Sequence, residues 1–158
     1  MNMNNKVMRV LICGSRTFDE NERVYPNPIG VPMWRWLDNE LLETLSMYQR
    51  NGYEIEIVSG AAKGADSYGA KFAKRYSFKL TEFPAQWRTY GKSAGYKRNM
   101  EMIEYCDKAN SSIVVAIWDG ESKGTLHTIH LAKQHDLGLA IFKYDTNEIK
   151  WLPADKVN

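Results

Sequence analysis

Between an apolar alternating run (Ile55, Ile57, Val58) and a small-residue amphipathic segment (Tyr68 to Tyr76) lies the stretch Ser59-Gly60-Ala61-Ala62-Lys63-Gly64-Ala65-Asp66. Strand, glycine-rich turn and helix in that order direct backbone N–H groups and a helix N-terminus toward an anion. Glycine at 60 and 64 opens backbone angles closed to other residues and lets a ligand approach the main chain. Ala61, Ala62 and Ala65 keep the turn low, and Lys63 adds a point charge. Asp66 either caps the helix or binds a sugar hydroxyl. A tight connection with a capping aspartate is the competing reading. What favours a ligand is that two other turns repeat the design.

In chain order, Val7 to Cys13 is a nearly continuous apolar run, the pattern of a strand buried on both faces. It stops at a second turn, Gly14-Ser15-Arg16-Thr17. Asp19 to Pro32 is polar and carries Pro26, Pro28, Gly30 and Pro32, which makes it loop. Met33 to Arg50 reads as a helix with Met33, Leu37, Leu41, Leu45 and Tyr48 on one stripe, closed by Asn51-Gly52. Glu54 to Val58 is the second strand, and Phe78 to Phe83 alternates as the third and halts at Pro84. Ala85 to Gly95 reads as loop rich in aromatic and basic residues, followed by a helix to about Asp107. Ser112 to Trp118 is a fourth buried strand, which leaves through the third turn, Asp119-Gly120-Glu121-Ser122-Lys123-Gly124-Thr125. A helix to about His135 and a strand from Gly138 to Tyr144 follow, and Glu148 to Leu152 adds an edge strand.

Five strands alternating with helices predict an α/β fold, a Rossmann-like three-layer sandwich around a mostly parallel five-stranded sheet. Right-handed crossovers give a doubly wound order 3-2-1-4-5, with helices on both faces. Ligands of such sheets bind at the carboxyl ends of the strands, near the switch point between the first and fourth. All three glycine turns leave carboxyl ends of neighbouring strands, so they form one floor suited to a phosphate-bearing ligand. Standard nucleotide motifs are absent. No G-x-G-x-x-G follows the first strand, and Gln86 stands where a phosphate loop ending in Gly91-Lys92-Ser93 needs its first glycine.

The length of 158 residues predicts a single domain over 1–158, with its core at 7–144, an insertion at 19–32 and a short tail at 145–158. A formal net charge of +2 is too small to argue for nucleic acid, which is therefore not the expected partner. Cys13 and Cys106 lie in apolar surroundings without metal-ligand spacing and read as small hydrophobes in a reducing compartment. No segment is long and apolar enough for a membrane, and the polar start Met1 to Lys6 is no signal peptide, so a cytoplasmic location is expected.

Val10-Leu11-Ile12-Cys13-Gly14-Ser15-Arg16, the Ser59–Asp66 stretch, Arg98-Asn99 and Ser122-Lys123-Gly124-Thr125, in that order, resemble the SLOG superfamily. More narrowly, the chain is similar to its YspA-like branch of small stand-alone proteins met in bacteria and their phages. The resemblance covers roughly Met8 to Tyr144. The proline-bearing segment from Asn21 to Pro32 departs from it as an insertion, a lid or a plain surface loop. The superfamily implies nucleotide-derived ligands without fixing one chemistry. Lonely Guy relatives cleave N-glycosidic bonds of cytokinin nucleotides. SLOG domains of TRPM channels and Thoeris effectors bind ADP-ribose-type signals, and the DNA-processing protein DprA binds single-stranded DNA. Enzyme, sensor and nucleic-acid binder are thus separated only by the site.

For Lonely Guy chemistry the last turn should read Pro-Gly-Gly-x-Gly-Thr-x-x-Glu. Gly124-Thr125 is present, but Thr128 stands where the glutamate would be, and Asp119-Gly120 replaces much of Pro-Gly-Gly. A substitute carboxylate would come from Asp66, Asp119, Glu121 or Glu101, since an oxocarbenium-like transition state needs only a suitably placed one.

Among the remaining candidates, Arg16 and Arg98 suit bidentate phosphate binding, against ion pairs with loop carboxylates. Asn99 either reads a ribose or base edge or caps its helix. Trp87, Tyr90 and Tyr96 surround Arg88, Lys92 and Lys97, a mixture that suits a base stacked beside a phosphate, although Trp87 also fits a core position under the loop. Ser122 and Thr125 offer hydroxyls, and Gly124 a backbone N–H. His127 and His130 have no cysteine or Glu-x-x-His partner, so neither metal nor cofactor is expected. The reading is a nucleotide-derived small molecule of ADP-ribose or cyclic-nucleotide type, bound for sensing or sequestration. The three turns hold phosphate, Asp66 and Asn99 hold ribose, and Trp87 or a tyrosine stacks the base. The alternatives are an N-glycosidase or phosphoribohydrolase, and single-stranded nucleic-acid binding, whose affinity would fall steeply with salt. Family analogy adds a homo-oligomer, dimer or tetramer, with the Trp34/Trp36 helix as contact or, on the competing reading, as core.

Overall fold

The structure, a computed structural model, describes residues 5–22, 30–144 and 148–152. The middle of the expected insertion (23–29) and most of the expected tail lie outside the described residues. The elements are β1 (Lys6–Gly14), α1 (Met33–Arg50), β2 (Tyr53–Ser59), α2 (Ala65–Arg75), β3 (Lys79–Glu82), α3 (Trp87–Tyr90), α4 (Ala94–Asp107), β4 (Ser111–Trp118), α5 (Lys123–Gln134), β5 (Gly138–Lys143) and β6 (Glu148–Leu152).

The sheet runs β3-β2-β1-β4-β5-β6. Its first five strands are parallel in the expected doubly wound order, and β6 pairs antiparallel with β5 at the edge. Period-2 alternation divides the core between the two faces. Met8, Val10 and Ile12 of β1 pack under α1 and α2 with Leu37, Leu41, Tyr68 and Phe72. Leu11 and Cys13 face the other way, onto Met102, Ile103 and Ile129 of α4 and α5. The α1 stripe is buried as its spacing requires, and Gly52, at φ 86°, turns the chain into β2 while its N–H closes on the Gln49 carbonyl. Trp36 packs on Phe142, ring centroids 5.1 Å apart, and Trp34 lies under Arg75, so both have partners within the chain.

One expectation fails. Of the expected loop Ala85 to Gly95, only Ala85 and Gln86 are loop; the rest is the four-residue α3, a 3₁₀ turn over Gly91–Ser93 and the start of α4. Trp87 and Tyr90 are half exposed there, so no apolar stripe marks the helix; Thr89 and Tyr90 N–H groups close it on the Gln86 carbonyl.

Polar groups inside the sheet are paired. Glu56 on β2 is 3% exposed and lies opposite Arg9 of β1 in the strand register. It accepts from Arg9 Nε at 3.1 Å, from Thr81 Oγ1 at 2.7 Å and from the Tyr105 hydroxyl. Burial alone would raise its pKa, but the bonds from Tyr105, Thr81 and Arg9 outweigh it and hold the carboxyl below its ordinary value. A depressed folded pKa contributes stability that is present above the unfolded value, about 4.3, and is lost as pH falls through the folded one. Glu56→Gln should therefore cost about 2 kcal/mol at pH 7. In urea unfolding the gap to the unmodified protein should narrow as pH drops below 4.

Candidate functional site

The carboxyl ends of β1, β2 and β4 lie side by side, with Gly14 opposite Ile117 and Leu11 opposite Val58. Ser15, 1% exposed, fastens the three turns together. Its N–H donates to the Ile117 carbonyl at 2.8 Å, its carbonyl accepts from Ala65 N–H at 3.2 Å, and its hydroxyl accepts from Asp119 N–H at 3.1 Å. Above it opens a half-open cleft of about 430 Å³, within the range of small-molecule sites.

The cleft brings together twelve of the expected ligand residues. The first turn supplies Gly14, Ser15, Arg16 and Thr17, and the second supplies Asp66. Trp87 comes from α3, Arg98 and Asn99 from α4. The third turn supplies Asp119, Ser122, Gly124 and Thr125. Gly60 and Ala61 instead line a smaller adjoining recess. Ser59, Lys63, Gly64 and Ala65 line neither space; Ser59 is fully buried beneath the turn and Lys63 points to solvent. Of the candidate carboxylates, Asp66 and Asp119 line the cleft, whereas Glu101 and Glu121 are exposed outside it.

Two amides of the second turn, those of Ala61 and Ala62, are not presented to a ligand as expected. Ala61 N–H donates to Ser59 Oγ at 3.2 Å and Ala62 N–H to Asp66 Oδ2 at 3.1 Å, so side chains of the turn itself consume them. Asp66 does not cap α2: the capping position is Gly64, and Asp66 lies inside the first helical turn, 5% exposed. Gly60 is required because a Cβ there would press on both the Arg98 guanidinium and the Asp66 carboxylate. Open donors lie at α5 instead. Ser122 caps this helix and accepts from both the N–H and the hydroxyl of Thr125. The Lys123 and Gly124 N–H groups make no hydrogen bond among the described residues, and the space beside Gly124 is open. They carry the positive end of the helix dipole.

The two arginines differ. Arg98 donates to the carbonyls of Gly60 and Phe83 and, through Nε, to Asn99 Oδ1 at 3.1 Å. Its partners are thus backbone oxygens and its neighbour, not the loop carboxylate of the competing reading. Asn99, 6% exposed, also donates to the Gly124 carbonyl at 3.3 Å and meets His127, tying α4 to the start of α5. Arg16 makes no hydrogen bond or ion pair among the described residues; its guanidinium stands 5.8 Å from the centre of the Trp87 ring. Trp87 and Tyr96, about half exposed, are aromatic walls rather than core.

Sequence reasoning missed Cys13, Ala62, Gly95 and Met102 in the lining; the apolar three signal only packing, and Gly95 carries no mark of its own. Lys92 and Tyr96 belonged to the aromatic-basic mixture. Thr128, at the lost glutamate position, lines the cleft too, and its hydroxyl donates to the Gly124 carbonyl at 3.3 Å. Burial pushes the Cys13 thiol far up and that of Cys106 up to about 12, so both stay protonated. His127, held below its ordinary pKa by burial and by His130, packs edge-on against Tyr96. Among the described residues no group of three metal-ligating side chains gathers, and no helix is long and apolar enough to cross a membrane.

The two cleft carboxylates have opposite character. N–H bonds from Glu121 and Ser122 hold Asp119 below the ordinary carboxylate range. Burial raises Asp66, against the Ala62 N–H bond and the charges of Arg98 and Arg16. A raised folded pKa gives stability that is full below the unfolded value, about 3.9, and lost as pH rises through the folded one. Asp66→Asn, which keeps an acceptor for Ala62 N–H, should therefore melt higher than the unmodified protein at pH 7. Calorimetry at pH 7 and pH 4 should show that advantage shrink on acidification.

Comparison with known proteins fits these turns on this sheet. A family model described as YspA, cpYpsA-related SLOG family matches residues 8–90. The chain belongs to that family. Gene 61 protein of Mycobacterium phage D29 is 31% identical to it over 131 residues, covering 80% of this chain and 89% of that protein. No solved structure matches. The SLOG match takes in the first two turns and Trp87; Arg98, Asn99 and the third turn lie beyond it. SLOG membership suggests a nucleotide-related ligand and is compatible with either binding or glycosidase-like chemistry.

Proposed function

We propose that the chain binds a nucleotide-derived small molecule carrying ribose and phosphate, of ADP-ribose or cyclic-nucleotide type, as a sensor or sequestering protein. The observation that carries this reading is the makeup of the main cleft. The Arg16 cation, without a hydrogen bond or ion pair among the described residues, and the open Gly124 amide serve phosphate, beside the exposed aromatic faces of Trp87 and Tyr96 for a base. Ser122, whose oxygen already accepts twice, keeps its O–H for a ribose or phosphate oxygen. The phage relative fits a setting in which such a signal is removed.

The test is incubation of purified protein with nucleoside monophosphates, ADP-ribose and cyclic nucleotides, removal of free ligand, heat denaturation and mass spectrometry of what is released. A ligand recovered intact is expected. Release of nothing from any member of the panel would sink the proposal.

A second reading rests on Asp66, a buried carboxyl in the cleft wall with a raised pKa, the character of a general acid. As a glycosidase the site would protonate the leaving base while water adds to the ribose carbon, giving free base and ribose phosphate. Those two products in the same spectra, absent for Asp66→Asn, would establish it.

A further inference from the structure

Beside the main cleft lies a second recess of about 120 Å³, bounded by the Gly60–Ala62 turn on one side and Pro84 and Ala85 on the other. Arg16, Trp87 and Arg98 line both spaces, so the recess continues the cleft past the end of β2. The charge balance differs between them. The main cleft sets Asp66 and Asp119 against its cations, whereas the recess is lined by two arginines and no carboxylate. Arg16 has no hydrogen-bonding partner among the described residues. Arg98 spends Nε and Nη1 on its neighbours, which leaves the two N–H groups of Nη2. The Ala61 and Ala62 amides of the turn, by contrast, are already spent on Ser59 and Asp66. The guanidinium groups therefore supply the charged open donors there, and their planar forks match phosphoryl oxygens.

We propose that this recess is a second anion subsite, which takes one phosphoryl group of a ligand whose nucleoside occupies the main cleft. The ligand class is then a nucleotide with more than one phosphoryl group, one at the α5 N-terminus and one between Arg16 and Arg98. The ligand assignment rests on the nucleotide reading above; the anion subsite itself does not.

The subsite is tested by titrating inorganic phosphate into isotope-labelled protein and following the amides of Gly60, Ala61 and Ala85 by NMR. A saturable shift of these amides is expected. Ala85→Glu, which places a carboxylate in the recess, should abolish it, and Ala85→Gln, which fills similar space without charge, should weaken it less. Recess amides that do not respond, or equal losses in the two variants, would overturn the subsite. The ligand class is tested by calorimetric titration of AMP and ADP. ADP should bind at least about tenfold more tightly, and Ala85→Glu should remove that difference; equal affinities overturn the class. If phosphate fills the recess and neither nucleotide binds, the subsite stands while the ligand class and the nucleotide reading both fail.

Discussion

Replacing Gly64 with alanine is expected to cost at least about 4 kcal/mol, the range of the most severe single substitutions, and to lower Tm by about 10 °C. Gly64 holds φ 71° and ψ −118°, a conformation that L side chains rarely adopt. A Cβ there would also run into the carbonyl oxygens of both Ser15 and Arg16. Neither relief is available. The Ser15 carbonyl is pinned by the Ala65 N–H, and the Ser15 N–H by the Ile117 carbonyl, so moving one turn breaks its tie to another. Gly124→Ala is the matched control: no neighbour lies within 4 Å of its Cβ position, and it begins a helix where alanine is favoured. It should melt within about 1 °C of the unmodified protein, as expected for an exposed position. Calorimetry on both variants checks the contrast, and a Gly64→Ala protein that melts normally would mean the first two turns are not pressed together.

That substitution also marks where the sequence stops being legible. The strands could be read because burial writes itself into composition: Val10, Leu11 and Ile12 are apolar in succession since β1 is covered on both faces. The strand order followed from the handedness of crossovers, and with it the meeting of three turns at one edge. What the turns do there could not be read. Gly60 and Gly64 pointed to a turn that opens its amides to a ligand, yet Ser59 and Asp66 fold back and take those of Ala61 and Ala62. Nothing in the spacing separates an aspartate that faces a ligand from one that closes its own loop. Gly60 serves close packing, but of Arg98 and Asp66 rather than of a ligand. The short α3 was hidden for the opposite reason: its aromatic residues face the solvent, so the pattern that betrays a helix is missing.

The two arginines of the cleft should separate binding from folding. Arg16→Ala removes no hydrogen bond or ion pair among the described residues, so its Tm should stay within about 1 °C of the unmodified protein. If Arg16 grips phosphate, the same variant loses a charge-assisted pair worth about 1.5–3 kcal/mol, and affinity should fall about 10- to 100-fold. Arg16→Lys keeps the charge without the fork and should recover only part of that loss. Arg98→Ala removes the bonds to Gly60, Phe83 and Asn99 that hold the ends of β2 and β3 against α4. It also takes a compensating charge from buried Asp66. A stability loss of about 2–3 kcal/mol is expected, with binding weakened alongside. Thermal melts and titrations with the retained ligand, run on all three variants, decide the matter. An Arg16→Ala protein as unstable as Arg98→Ala would make Arg16 part of the scaffold rather than a cation open to a ligand. One that is stable but binds undiminished would move the phosphate off Arg16, to the start of α5 or to the other cleft cations, Lys92 and Arg98.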